Sequence, residues 1–111
     1  MKYMIIHMNG RNTVNYPLDK LAKVMKELDK AQDIESCVAL THESEWCLSM
    51  HPEGYVLWEN NMADLDECWY MEDVSEEKSI ELWKMLAKGE VEEIKNEAWI
   101  EGDPIYGEEE A

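Results

Sequence analysis

Phenylalanine is missing altogether from these 111 residues, so five tryptophans, five tyrosines and eight methionines must supply the large side chains of any core. Each tryptophan then needs an acceptor for its indole N–H, or partial exposure. Glycine is scarce and scattered, at positions 10, 54, 89, 102 and 107. That spacing builds neither a GxGxxG dinucleotide loop nor a phosphate-binding P-loop. A GxSxG nucleophile turn is absent too. The three cysteines, Cys37, Cys47 and Cys68, are odd in number and lack CxxC spacing. They argue against a disulfide framework and fit a reducing compartment. No apolar run approaches the roughly 18–20 residues of a membrane span, and Met1–Met8 is too short for the apolar region of a signal peptide. These absences predict a soluble, cytoplasmic protein without a membrane association.

Basic residues are the other shortage. Ten Lys and Arg stand against 26 Asp and Glu, a formal charge of −16. The imbalance is local. Residues 1–34 hold six basic and four acidic residues, whereas residues 35–111 hold four basic and 22 acidic ones. Such a surface repels nucleic-acid phosphates and anionic lipid. It attracts basic proteins and can speed encounter with them. The same charge would also keep a small protein in solution.

The length and the 45% apolar content suit one globular domain. Lys2–Met8 reads as a strand, Asn9-Gly10 as a two-residue hairpin turn, and Asn12–Tyr16 as the returning strand. Leu18, Leu21, Ala22, Met25 and Leu28 follow helical spacing, with Val24 flanking the stripe. Lys20, Lys23, Lys26 and Lys30 fall off that stripe and make the exposed side basic. Glu35–His42 and Glu45–His51 read as strands joined at Glu43-Ser44. A tight turn there sets Leu40 against Cys47 and Ala39 against Leu48. After the turn His51–Gly54, Tyr55–Glu59 continues the meander, with Leu57 against Leu48 and Trp58 against Cys47. One face then carries Ala39, Leu48, Met50, Tyr55 and Leu57, and the other Val38, Leu40, Cys47, Val56 and Trp58.

Asn60–Glu67 reads as a loop and Cys68–Met71 as a further strand. Ser75 caps a helix whose first turn holds Glu76 and Glu77, facing the positive end of the helix dipole. Ile80, Leu82, Trp83, Met85, Leu86 and Ala87 form its apolar stripe, and Gly89 stands where a left-handed residue ends it. Glu90–Trp99 is a short helix or a turn and strand. The expectation is an α+β fold: an antiparallel sheet, made of an N-terminal hairpin and a meander, with two main helices on one face. It occupies residues 1–100, and residues 101–111 form a flexible acidic tail.

Catalytic constellations are thin. His42, His51 and Cys47 fall within ten residues, but only His42 and Cys47 share a face in this register, too few ligands for a zinc site. Cys68 has Asp64, Asp66, Glu67 and Glu72 near it, which would raise a thiol pKa rather than lower it. Adjacent carboxylates such as Asp66/Glu67 and Glu92/Glu93 follow from composition. The expectation is no catalytic residue, no metal and no cofactor. What stands out is an acidic belt, Asp64 to Glu81, interleaved with tryptophan. Trp58, Asp64, Asp66, Glu67, Trp69, Glu72, Asp73 and Trp99 are the candidate partner-binding residues, because aromatic side chains anchor interfaces and charge steers the encounter. Trp58 and Trp83 are also candidates for the core.

The segment VSEEKSIELWKMLAKGEVEEIKNEAW, Val74 to Trp99, together with the Leu18–Leu28 helix and the meander between them, resembles small acidic immunity proteins of bacterial polymorphic-toxin systems. The resemblance spans residues 18–99. The Trp58-Glu59-Asn60 segment and a shorter meander depart from that pattern. The resemblance implies a non-enzymatic inhibitor that neutralises a basic, nucleic-acid-active toxin or enzyme by blocking its active site; the charge of −16 argues separately against direct nucleic-acid binding. The alternative is an adaptor or subunit domain whose acidity serves solubility.

Overall fold

The computed structural model describes residues 2–60 and 68–102. It is the expected α+β fold. Among the described residues, seven strands form one antiparallel sheet: β1 (Tyr3–Ile6), β2 (Asn12–Val14), β3 (Val38–His42), β4 (Trp46–Met50), β5 (Val56–Asn60), β6 (Cys68–Met71) and β7 (Ile100–Glu101). Their spatial order is β2-β1-β3-β4-β5-β6-β7. The helices are α1 (Leu21–Met25), α2 (Glu76–Ala87) and α3 (Val91–Lys95). None of the described helices is long and apolar enough to cross a membrane.

The hairpin turns are longer than their sequences suggest, or shorter, and the sheet register follows from them. The first is the three-residue loop Met8-Asn9-Gly10, closed by Gly10 N–H donating to His7 O at 2.8 Å, with Gly10 at φ +91°. The second is Glu43-Ser44-Glu45, closed by Glu45 N–H donating to His42 O at 2.9 Å, with Glu45 at φ +76°. Both are a tight turn followed by one left-handed residue. The third, Pro52-Glu53-Gly54, is also three residues and sits between the paired His51 and Tyr55. Each loop moves the pairing by one residue from the expected register. Leu40 faces Leu48 rather than Cys47, and Leu48 faces Trp58 rather than Leu57.

A slip of one residue exchanges the faces of a strand. Ile5, Val38, Leu40, Leu48, Met50, Val56 and Trp58 therefore share one face, and Ala39, Cys47, Ser49 and Leu57 share the other. The helices cover the first face. Leu21, Val24 and Met25 from α1, Leu82, Trp83, Leu86 and Ala87 from α2, and Ile94 from α3 close on it in one buried cluster. Trp83 is fully buried, and its Nε1–H donates to Leu48 O at 3.0 Å. The missing phenylalanine is thus replaced by an indole that also ties α2 to β4.

The first helix is less regular than its stripe. Only Leu21–Met25 is α-helical, between 3-10 turns at Leu18–Lys20 and Lys26–Lys30. Lys20, at φ −115° and ψ 11°, breaks the phase between the first two pieces. As a result Val24 is fully buried while Ala22 is exposed. Glu27 docks this segment on the first hairpin. Its Oε2 lies 2.7 Å from His7 Nδ1, and its Oε1 accepts from Met8 N–H at 3.0 Å.

α2 ends as its sequence indicates. Ser75 Oγ accepts from Lys78 N–H at 3.0 Å. At the far end Gly89, at φ +80°, sends its N–H to Leu86 O at 2.8 Å, and Glu90 N–H reaches Met85 O at 3.0 Å. These two bonds form a Schellman stop. Ser75→Ala should lower the unfolding free energy by about 1 kcal/mol. A shift of the urea midpoint without a change of slope is the expected reading.

The chain stays in the sheet past the expected domain end. Glu101 pairs with Trp69, and Gly102 N–H donates to Cys68 O at 2.9 Å. Glu101 of β7, and Gly102 just beyond it, are thus the first residues of the expected tail. Residues 103–111 of that tail lie outside the described residues, as do residues 61–67 of the expected acidic loop.

Candidate functional site

Three tryptophans stand on the helix-covered face of consecutive strands. Trp46 belongs to β4, Trp58 to β5 and Trp69 to β6, and the register sets Trp58 directly against Trp69. A fourth, Trp99, arrives from the segment between α3 and β7. Its Nε1–H donates to Ile94 O at 2.8 Å, so the last turn of α3 fixes the ring. Trp46 and Trp58 stack with centroids 4.4 Å apart and planes 10° from parallel. Trp58 and Trp99 lie 6.0 Å apart at 16°, and Trp46 and Trp69 lie 6.3 Å apart at 39°.

Between these rings and the end of α3 is an open pocket of about 550 Å³, lined by Trp46, Trp58, Trp69, Lys95, Glu97 and Trp99. Its volume falls in the range of small-ligand sites, about 300–1,000 Å³. Trp58, 1% exposed, belongs to the core. Trp46, Trp69 and Trp99 are only partly buried. Lys95 holds its ammonium 4.9 Å from the centre of the Trp46 ring. Glu97 is fixed by Lys78, whose Nζ donates to Oε2 at 3.1 Å. Another pocket, beside the Pro52–Gly54 turn, is about 210 Å³ and is lined by Tyr55 and His51 but by no tryptophan.

The expected binding residues are divided by this geometry. Trp58, Trp69 and Trp99 come together. Glu72 and Asp73 are exposed, three and four residues beyond Trp69 along the chain. β6 ends at Met71, and at about 3.3 Å per residue Glu72 stands at most roughly 10 Å from Trp69 along the chain. Asp64, Asp66 and Glu67 lie outside the described residues. Trp46, Lys95 and Glu97 were not among the expected residues. Trp46 would have followed from the correct hairpin register, because that register carries it onto the face of Trp58.

The other chemical candidates are dispersed. His42 and Cys47, expected on one face, are on opposite faces, because Cys47 pairs with Thr41 rather than Leu40. His42 Nδ1 accepts from Ser44 N–H at 3.1 Å, which leaves the ring proton on a buried Nε2 without an acceptor among the described residues. His51 Nδ1 donates to Ile34 O at 2.9 Å. Among the described residues no three His, Cys, Asp or Glu side chains converge to hold a metal. Burial pushes the Cys47 thiol up to about 11, against the opposing hydrogen bonds of Thr41 and Ser49. Burial, helped by Glu59, also raises Cys37. Neither thiol is poised as a nucleophile.

No family model matches the sequence, and no match is found among curated proteins or solved structures.

Proposed function

We propose that this chain is a non-enzymatic binding protein of the inhibitor or immunity type, which docks on a basic partner protein in the cytoplasm. A nucleic-acid-active toxin or enzyme is the favoured partner, since such proteins present positive clefts for phosphate and an acidic protein can occupy them. The observation that carries the reading is the combination of a −16 charge with an open pocket walled by tryptophan. The charge supplies attraction over distance. The indoles supply the desolvated anchor that holds a complex once formed. A solubility role for the acidity explains the charge but leaves the pocket without a use.

Recovery of the tagged chain from its native host should bring down one basic protein at a fixed ratio. The association rate of that complex should fall about tenfold or more as salt shortens the Debye length from roughly 30 Å to 3 Å, while dissociation changes little. Glu72→Lys, Glu81→Lys and Glu93→Lys together should slow association in the same way. All three carboxylates are exposed. A rate insensitive to both salt and charge reversal would reduce the acidity to a solubility device and favour the adaptor reading.

A further inference from the structure

We infer that the tryptophan pocket is a receptor for one arginine side chain of the partner, and that Lys95 stands in for it in the free chain. The inference rests on the reading of the chain as a binder of a basic protein, and it names the contact. Indole faces attract cations through their quadrupole. The chain's own cation already uses this pocket, with the Lys95 ammonium 4.9 Å from the Trp46 centroid. Lys95 is exposed and its only ion pair among the described residues is a loose 3.7 Å contact with Glu92, so it can swing away.

The pocket also carries an acceptor for the incoming charge. Lys78 engages Glu97 through Oε2. Its second oxygen, Oε1, makes no hydrogen bond among the described residues and can accept from a guanidinium. Arginine suits this better than lysine. Its plane stacks on an indole, it is more weakly hydrated, and its fork of N–H donors can reach a carboxylate while stacked.

Other guests fit less well. An anion would meet the −16 charge of the chain. A flat neutral ring gains most when held between two indoles, which requires planes about 7 Å apart, twice the contact distance between carbon atoms. The Trp46–Trp58 pair, at 4.4 Å, and the Trp58–Trp99 pair, at 6.0 Å, are already too close to admit one. What remains is the outer ring surface where Lys95 lies.

The test uses the whole chain and short blocked peptides, Gly-Ser-X-Ser-Gly, with X as arginine, lysine or citrulline. The readout is the set of indole N–H resonances. The arginine peptide should shift those of Trp46, Trp69 and Trp99 saturably, with half-saturation on the order of millimolar. The fully buried Trp83 resonance is the internal control. The lysine peptide should bind more weakly, and the uncharged citrulline peptide at least fivefold more weakly. Lys95→Ala, which removes an exposed side chain, should tighten the arginine peptide about three- to tenfold, and Trp46→Ala, which removes the ring under the Lys95 ammonium, should abolish its binding. Equal shifts with arginine and citrulline, or no gain from Lys95→Ala, would overturn the inference. The two readings fail separately. If arginine binds but no basic protein is recovered, the inhibitor reading falls and the pocket assignment stands. If a partner is recovered whose affinity ignores Trp46→Ala and Lys95→Ala, the pocket assignment falls and the inhibitor reading stands.

Discussion

Trp83→Ala should remove about 3–5 kcal/mol of unfolding free energy, the usual range for deleting a fully buried tryptophan. The side chain is 0% exposed, between α2 and the sheet, so its loss leaves a cavity that the surrounding strands can fill only in part. It also removes the indole bond to Leu48 O. Trp83→Phe keeps most of the apolar volume and loses that bond, so it should cost less, about 1–2 kcal/mol. Domains of this kind are stable by roughly 5–15 kcal/mol, so the alanine change can take a third or more of the total. With a urea slope of about 1–3 kcal/mol per molar, the midpoint should fall by more than 1 M. A midpoint within about 0.5 M of the parent protein would show that the stripe of α2 does not bury Trp83.

That stripe was legible because its signals are local. Ser75, the two glutamates after it and Gly89 mark both ends of α2, and each acts within one helical turn. The register was not legible, because it depends on whether a turn has two, three or four residues. Asn9-Gly10 and Glu43-Ser44 both look like complete two-residue turns. In the fold each belongs to a three-residue loop, and the third left-handed position is filled by Gly10 in one case and by Glu45 in the other. A glutamate at φ +76° gives no compositional warning.

The candidate site suffered from the same error. With the expected pairing, Trp58 faced Cys47, and Trp46 had no reason to join it. With the observed pairing, Trp46, Trp58 and Trp69 fall on one face of adjacent strands. Trp99 reaches them because Ile94 O holds its indole and because β7 returns to β6, the latter a contact across some thirty residues of chain that no local pattern encodes. The acidic character, by contrast, is a property of composition and survives any register. Under the proposed function it sets the sign of the partner but not the place where the partner docks.

Gly54→Ala is the other substitution with a large expected effect, about 2–4 kcal/mol. Gly54 has φ +80°, and a left-handed conformation costs an ordinary residue about 1–3 kcal/mol. The new Cβ would also stand 2.8 Å from Val74 N and 3.0 Å from Asp73 Cα and Val74 O. These are backbone atoms and cannot rotate away. They are fixed in turn by the Val74 N–H bond to Gly54 O at 3.0 Å, which joins the β4–β5 turn to the start of α2. Relief of the clash must therefore stretch that bond or displace the Ser75 cap. Gly10→Ala separates the two contributions. Gly10 is also left-handed, at φ +91°, but nothing lies within 4 Å of the added Cβ. It should lose only the conformational part, about 1–2 kcal/mol. Urea unfolding of the two variants in parallel tests the argument. Equal losses would mean that the approach of Gly54 to Val74 is not close, and that the β4–β5 turn and α2 are less tightly joined than this contact requires.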